Sequence, residues 1–133
     1  MIAIHHRRNA LRLAIGLFAA SALAGCGDTS TPTAANTDQA RKTLDSALTA
    51  WTQGQTVEAV KGASPSILVE DPKWKKGATL KKFEVKGDGK PSGAERVFAV
   101  KLTLADSAGK ETTEDVDYRV GTSPILTVFR AMF

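Results

Sequence analysis

The stretch Val97-Phe98-Ala99-Val100-Lys101-Leu102-Thr103-Leu104-Ala105 decides the fold. Phe98, Val100, Leu102 and Leu104 alternate with Ala99, Lys101 and Thr103. Alternation with period two is the pattern of a strand with one buried face. Downstream, Asp106-Ser107-Ala108-Gly109 supplies a turn, and Thr113 to Val120 repeats the alternation, with Val116, Tyr118 and Val120 against Asp115, Asp117 and Arg119. Gly121-Thr122-Ser123-Pro124 turns again, and Ile125 to Phe129 reads as a last apolar strand. Upstream, Leu80 to Lys86 sets Phe83 and Val85 against Lys82, Glu84 and Lys86, and Gly87-Asp88-Gly89-Lys90 reads as a hairpin-type loop. Ile67-Leu68-Val69 is a short β-like run closed by Asp71-Pro72.

Before these strands the period changes to that of a helix. Ala40, Leu44, Ala47, Leu48 and Trp51 form one apolar stripe, with Arg41, Lys42, Asp45 and Thr49 on the other side. Asn36 can cap the helix, Gln39 can complete a capping box, and Gly54 ends it. Thr56 to Lys61 allows a second short helical turn. Residues 37–133 therefore predict one α+β domain, in which an N-terminal amphipathic helix packs on a four- to five-stranded antiparallel meander sheet. In order and pattern this outline resembles the cystatin-like and nuclear-transport-factor-2-like folds. In those folds a curved sheet wraps an N-terminal helix, and the concavity serves as a ligand pocket or dimer face.

The first 25 residues are of another kind. Arg7, Arg8 and Arg12 precede an uncharged, mostly apolar run from Leu13 to Gly25, with no acid anywhere in residues 1–25. A basic region, a short apolar core and small residues before the cut are the parts of a secretory signal peptide. The run is shorter than the about 20 residues that span a bilayer. Leu23-Ala24-Gly25-Cys26 then matches a lipobox, and the sequence here resembles the bacterial lipoprotein family. The resemblance implies that Leu23, Ala24 and Gly25 are read by the lipoprotein signal peptidase. Cys26 becomes the first residue, with a diacylglyceryl group on its thiol and an acyl chain such as palmitate on its amine. Two or three chains anchor firmly where one does not. Gly27 in place of Asp leans toward the outer membrane, facing the periplasm. Residues 26–36, small and polar after Cys26, read as the lipidated residue and a flexible tether.

Removing residues 1–25 changes the chemical inventory. Three of the 18 Lys+Arg are lost, leaving 15 against 14 Asp+Glu, so the net charge of +4 is mostly the leader's. Both histidines, His5 and His6, leave as well. Without His or a free Cys, Ser-His-Asp and Cys-His mechanisms are excluded, as are imidazole or thiolate zinc sites. No catalytic residue, metal or cofactor is expected. The remaining residues allow two weaker chemical readings. Glu111, Glu114, Asp115 and Asp117 could hold a hard cation, but the alternation predicts a solvated face instead. Tyr118 could act in a pocket like a ketosteroid-isomerase hydroxyl, but Asp115 and Asp117 would then point away from it.

The remaining charge is polarised. Seven lysines fall within residues 73–90, against only Glu84 and Asp88. Lys73, Lys75, Lys76, Lys81 and Lys82 are the candidate contacts to an anionic surface, either lipid headgroups or an acidic envelope polymer. The competing reading is an edge strand kept from aggregating by Lys. Nucleic acid is not expected outside the cytoplasm. The function expected is a lipid-anchored envelope lipoprotein with a non-catalytic binding or scaffolding domain, the alternative being a small-ligand pocket with a weak enzymatic role. Its expected partners are the membrane, through Cys26, and an envelope protein or polymer.

Overall fold

The computed structural model describes residues 33–132, so the signal peptide, the lipobox and Cys26 lie outside the described residues. The elements in order are α1 (Thr37–Thr52), α2 (Val57–Lys61), β1 (Ile67–Glu70), α3 (Pro72–Lys75), β2 (Thr79–Ser92), β3 (Glu95–Ala105), β4 (Glu111–Gly121) and β5 (Leu126–Arg130). The domain is α+β, with five strands in one mixed sheet and helices on one side of it.

The ends of α1 are fixed by its sequence. Asn36 Oδ1 accepts from the Gln39 N–H at 3.1 Å. At the other end the Gly54 N–H donates to Trp51 O and the Gln55 N–H to Ala50 O. This is the double closure of a Schellman motif, and it needs the left-handed backbone that Gly54 adopts at φ +80°. Ala40, Leu44, Ala47, Leu48 and Trp51 are buried from α1. They meet Phe98, Val100, Leu102, Tyr118, Val120 and Val128 from the inner face of the sheet. The interface between helix and sheet is filled with side chains.

The strand order is β1-β5-β4-β3-β2. β2 to β5 form an antiparallel meander, but β1 runs parallel to β5, with Ile67 opposite Leu126 and Val69 opposite Val128. The expectation of a wholly antiparallel meander is corrected here. α3 reverses the chain after β1 and carries it to the far edge. Three further reversals then bring β5 back beside β1 in β1's own direction. A parallel pair needs such a crossover, because no tight turn can make one.

A second correction concerns Gly87-Asp88-Gly89-Lys90. These residues do not turn between strands. They are a bulge inside β2, where the register slips between Lys86 and Lys90, and the hairpin turn comes later at Gly93-Ala94. Two arginines hold the bulge. Arg41 Nη1 of α1 donates to Gly87 O at 3.1 Å, and Arg96 donates to Asp88 O and Gly89 O at 3.2 Å each. A Cβ on Gly89 would lie 2.9 Å from the Phe98 ring, so the bulge also needs glycine for room.

Candidate functional site: a buried acid and tyrosine between α3 and the sheet

The most chemically loaded place in the domain begins at Asp71. It follows β1 directly and is the N-cap of α3, with Pro72 at the first helical position. Its Oδ1 accepts from the backbone N–H of Lys73 at 2.9 Å and of Trp74 at 3.3 Å. Its Oδ2 accepts from the Tyr118 hydroxyl at 2.5 Å. Asp71 is 0% exposed and Tyr118 is 1% exposed.

Arg130 closes the group. It follows Val128 on the inner face of β5 and stands in register with Tyr118. Its Nη2 donates to Glu114 Oε1 at 2.6 Å, while Nη1 lies 3.5 Å from Asp71 Oδ1. That second approach is long for a hydrogen bond, and Nη1 is buried without a hydrogen-bond partner among the described residues. Glu114 Oε2 accepts from Lys73 Nζ at 2.7 Å. Two carboxylates thus meet two cations, the balance that a buried charge requires.

The shifts in proton affinity follow this geometry. Burial raises the Tyr118 phenol above its ordinary value, and the Asp71 charge and hydrogen bond raise it further. Partial burial pushes the Glu114 carboxyl upward, but the hydrogen bonds from Lys73 and Arg130, with their charges, outweigh it and hold it below its ordinary value. Burial would lower Arg130, yet its hydrogen bond to Glu114 and the nearby Asp71 charge raise it. Each group is kept in its resting form: phenol, carboxylate, guanidinium.

Two of these placements matter for chemistry. Tyr118 points inward and has an acidic partner, but the partner is Asp71, which sequence reasoning missed. Asp71-Pro72 is a helix-start signal as well as a strand terminator, and four helical residues carry no periodicity to announce α3. Both Asp71 oxygens are already engaged, and neither Asp71 nor Tyr118 reaches solvent, so no substrate meets them in this conformation.

The acidic cluster divides by face. Glu114 turns inward to Arg130, while Asp115 and Asp117 lie on the outer face with Lys101 and Ala99 opposite them in register. No group of three metal-ligating side chains occurs among the described residues.

The lysines divide too. Lys73 pairs with Glu114, and Lys75 with Glu70 at 2.5 Å. Lys76 caps the C-terminal end of α3. Lys81 is the extra residue where the β2 register slips between Leu80 and Lys82, and Lys82 faces outward opposite Thr103. Trp51 and Trp74 stack on each other, with centroids 4.9 Å apart and planes 2° from parallel. Their indole N–H groups donate to Ala78 O and Gln55 O, both at 2.8 Å. The pair fastens α3 to the end of α1.

One open groove of about 640 Å³ runs along the outer side of α1. Asp38, Lys42 and Thr49 form one wall and Val60, Pro65 and Ile67 the other. No helix among the described residues is long and apolar enough to cross a membrane. Compared with known proteins, the chain matches no family model, no curated protein and no solved structure.

Proposed function

We propose that this chain is a bacterial envelope lipoprotein, attached through Cys26 and facing the periplasm, whose 37–133 domain binds or scaffolds a partner without catalysing a reaction. The observation that carries the reading is the quartet Leu23-Ala24-Gly25-Cys26 behind a basic and then apolar leader. A filled helix–sheet interface and a buried acid–tyrosine pair shut off from solvent support the non-catalytic part. Gly27 favours the outer membrane. The outline is read as cystatin-like or nuclear-transport-factor-2-like, supported by one long helix against a meander of four strands. Inhibiting the lipoprotein signal peptidase, or Cys26→Ala, should leave a full-length precursor, and only Cys26→Ala should abolish incorporation of a labelled fatty acid. Unchanged processing and labelling of the Cys26→Ala protein would end the lipoprotein reading.

The groove beside α1 favours a second reading, a small-ligand module with a polar wall on α1 and an apolar wall at Val60, Pro65 and Ile67. Native mass spectrometry of the purified full chain should then show a bound small molecule that Ala50→Trp, at the groove wall, displaces. Identical spectra for the two proteins with no added mass would remove it.

A further inference from the structure

The two ends of the sheet are chemically unlike, and the chain enters the domain at one of them. The Ala35 N–H donates to Ala94 O at 3.1 Å, in the turn between β2 and β3. Register places the other elements at that end. Ser92 faces Glu95, Arg96 faces Val120, Gly121 faces Thr127, and Leu126 faces Ile67. The loop before β1 and the loop between β4 and β5 therefore lie at the entry end.

These loops are Gly62-Ala63-Ser64-Pro65-Ser66 and Gly121-Thr122-Ser123-Pro124-Ile125, without a charged side chain in either. At the opposite end stand Lys73 and Lys75 of α3, Lys76 that caps it, and the turn from Asp106 to Glu111. Ile125, in the second of these uncharged loops, is 56% exposed, although Glu95 and Arg96 stand at the same end of the sheet. It borders a concavity of about 540 Å³ shared with Lys61, Pro65, Leu68 and Pro124, whose lining holds no carboxylate. Single exposed aliphatic residues are ordinary. Ile125 differs in its setting, between uncharged loops and beside a lone cation. Met132, the other large exposed apolar residue among the described residues, follows β5 at the opposite end.

The position of the anchor turns this asymmetry into a direction. Nine residue steps separate Cys26 from Ala35, which reach at most about 32 Å when fully extended. A lipid at Cys26 thus keeps the entry end close to the bilayer. We propose that this end is a membrane-docking tip. Ile125, flanked by Pro124 and Pro65, inserts into the interface of an anionic phospholipid bilayer, and Lys61 meets the headgroup phosphates. An apolar tip beside a cation is the chemistry that binds such a surface. The α3 lysines then point away from the membrane that holds the protein. The inference rests on the anchored-lipoprotein reading.

The test uses the mature lipidated protein in vesicles of phosphatidylethanolamine and phosphatidylglycerol. Cys26 is blocked by its thioether, so one introduced cysteine takes a polarity-sensitive fluorophore uniquely. The label on Ile125→Cys should shift to the blue and be quenched by spin-labelled lipid. The label on Ser107→Cys, in the β3–β4 turn, should keep aqueous emission and be quenched by iodide. Because the first variant removes the isoleucine, a label on Ala63→Cys in the neighbouring loop reads the same contact. Its blue shift should be lost on adding Ile125→Asp, with an unchanged melting temperature. If the protein partitions into detergent but the labels at 125 and 107 behave alike, the docking tip is wrong and the anchor stands. If the wild-type chain stays in the aqueous phase, both fall together.

Discussion

Glu114 and Asp115 are neighbours in sequence and opposites in physics. Glu114 lies on the inner face of β4, held by Arg130 at 2.6 Å and Lys73 at 2.7 Å, with a quarter of its side chain exposed. Asp115 lies on the outer face, paired with Lys86 at 3.1 Å, with three quarters exposed. Both form ion pairs, but water screens the first less and replaces a lost partner there less readily, above all on the Arg130 side. The same division separates Tyr118 from Asp117 and Arg119. Along one strand, then, the face decides whether a charge is structural, and residue type does not.

Arg130→Ala should break this comparison hardest. It strips the partner from Glu114 and leaves Asp71 buried beside an empty space, a loss of about 3–5 kcal/mol for a buried pair. Urea unfolding of the full chain measures it, and a loss close to that of a surface substitution would mean that the network holds nothing together. Tyr118→Phe removes one donor and leaves Asp71 Oδ2 unpaired, at about 1–3 kcal/mol. A neutral result would show that Oδ2 finds a replacement partner.

Acid sharpens the comparison. The folded-state affinity of Glu114 for its proton is lowered, so its contribution is present above its ordinary value of 4.5 and is lost as pH falls through the lower folded value. Melting temperature should decline over that acid range, and Glu114→Gln should flatten the decline while lowering stability at neutral pH. A Glu114→Gln protein with an unchanged acid profile would place the sensitivity elsewhere. The smallest effect belongs to the outer face. Lys86→Ala or Asp115→Asn should change stability by about 0–1 kcal/mol, and a loss as large as that of Tyr118→Phe would erase the distinction between faces.

Much of this was legible in the sequence wherever burial alternates. Phe98, Val100, Leu102 and Leu104 lie inward as their spacing predicts, and so do Val116, Tyr118 and Val120. The cap at Asn36 and the stop at Gly54 read directly from residue type. Three features did not. Asp71-Pro72 serves equally as a strand stop and a helix start, and only the three-dimensional neighbourhood chooses. The Gly87 to Gly89 bulge looks like a turn because both need left-handed glycines, at φ +68° and +70° here. The parallel β1–β5 pair depends on strand order, which no local pattern encodes. For the buried site, one signal was present. Val128 and Arg130 are two apart and so share a face, which turns the guanidinium toward the core; only the β4–β5 register sets it beside Tyr118.

The β1–β5 pair also sets a schedule. Ile67 finds its partner only in Leu126, so one edge of the sheet stays open until nearly the whole chain has been made. The helix stripe can form early, but Val69 lacks Val128, and Asp71 lacks Tyr118 and Arg130, until the C-terminal strands appear. Contacts between segments so far apart close late and slowly. A chain cut short before β5 would leave Ile67 and Val69 without their strand partners and Asp71 without Arg130, and should be cleared quickly by proteases. The last strand acts as the release catch of folding: its arrival commits the polypeptide, all at once, to the native state.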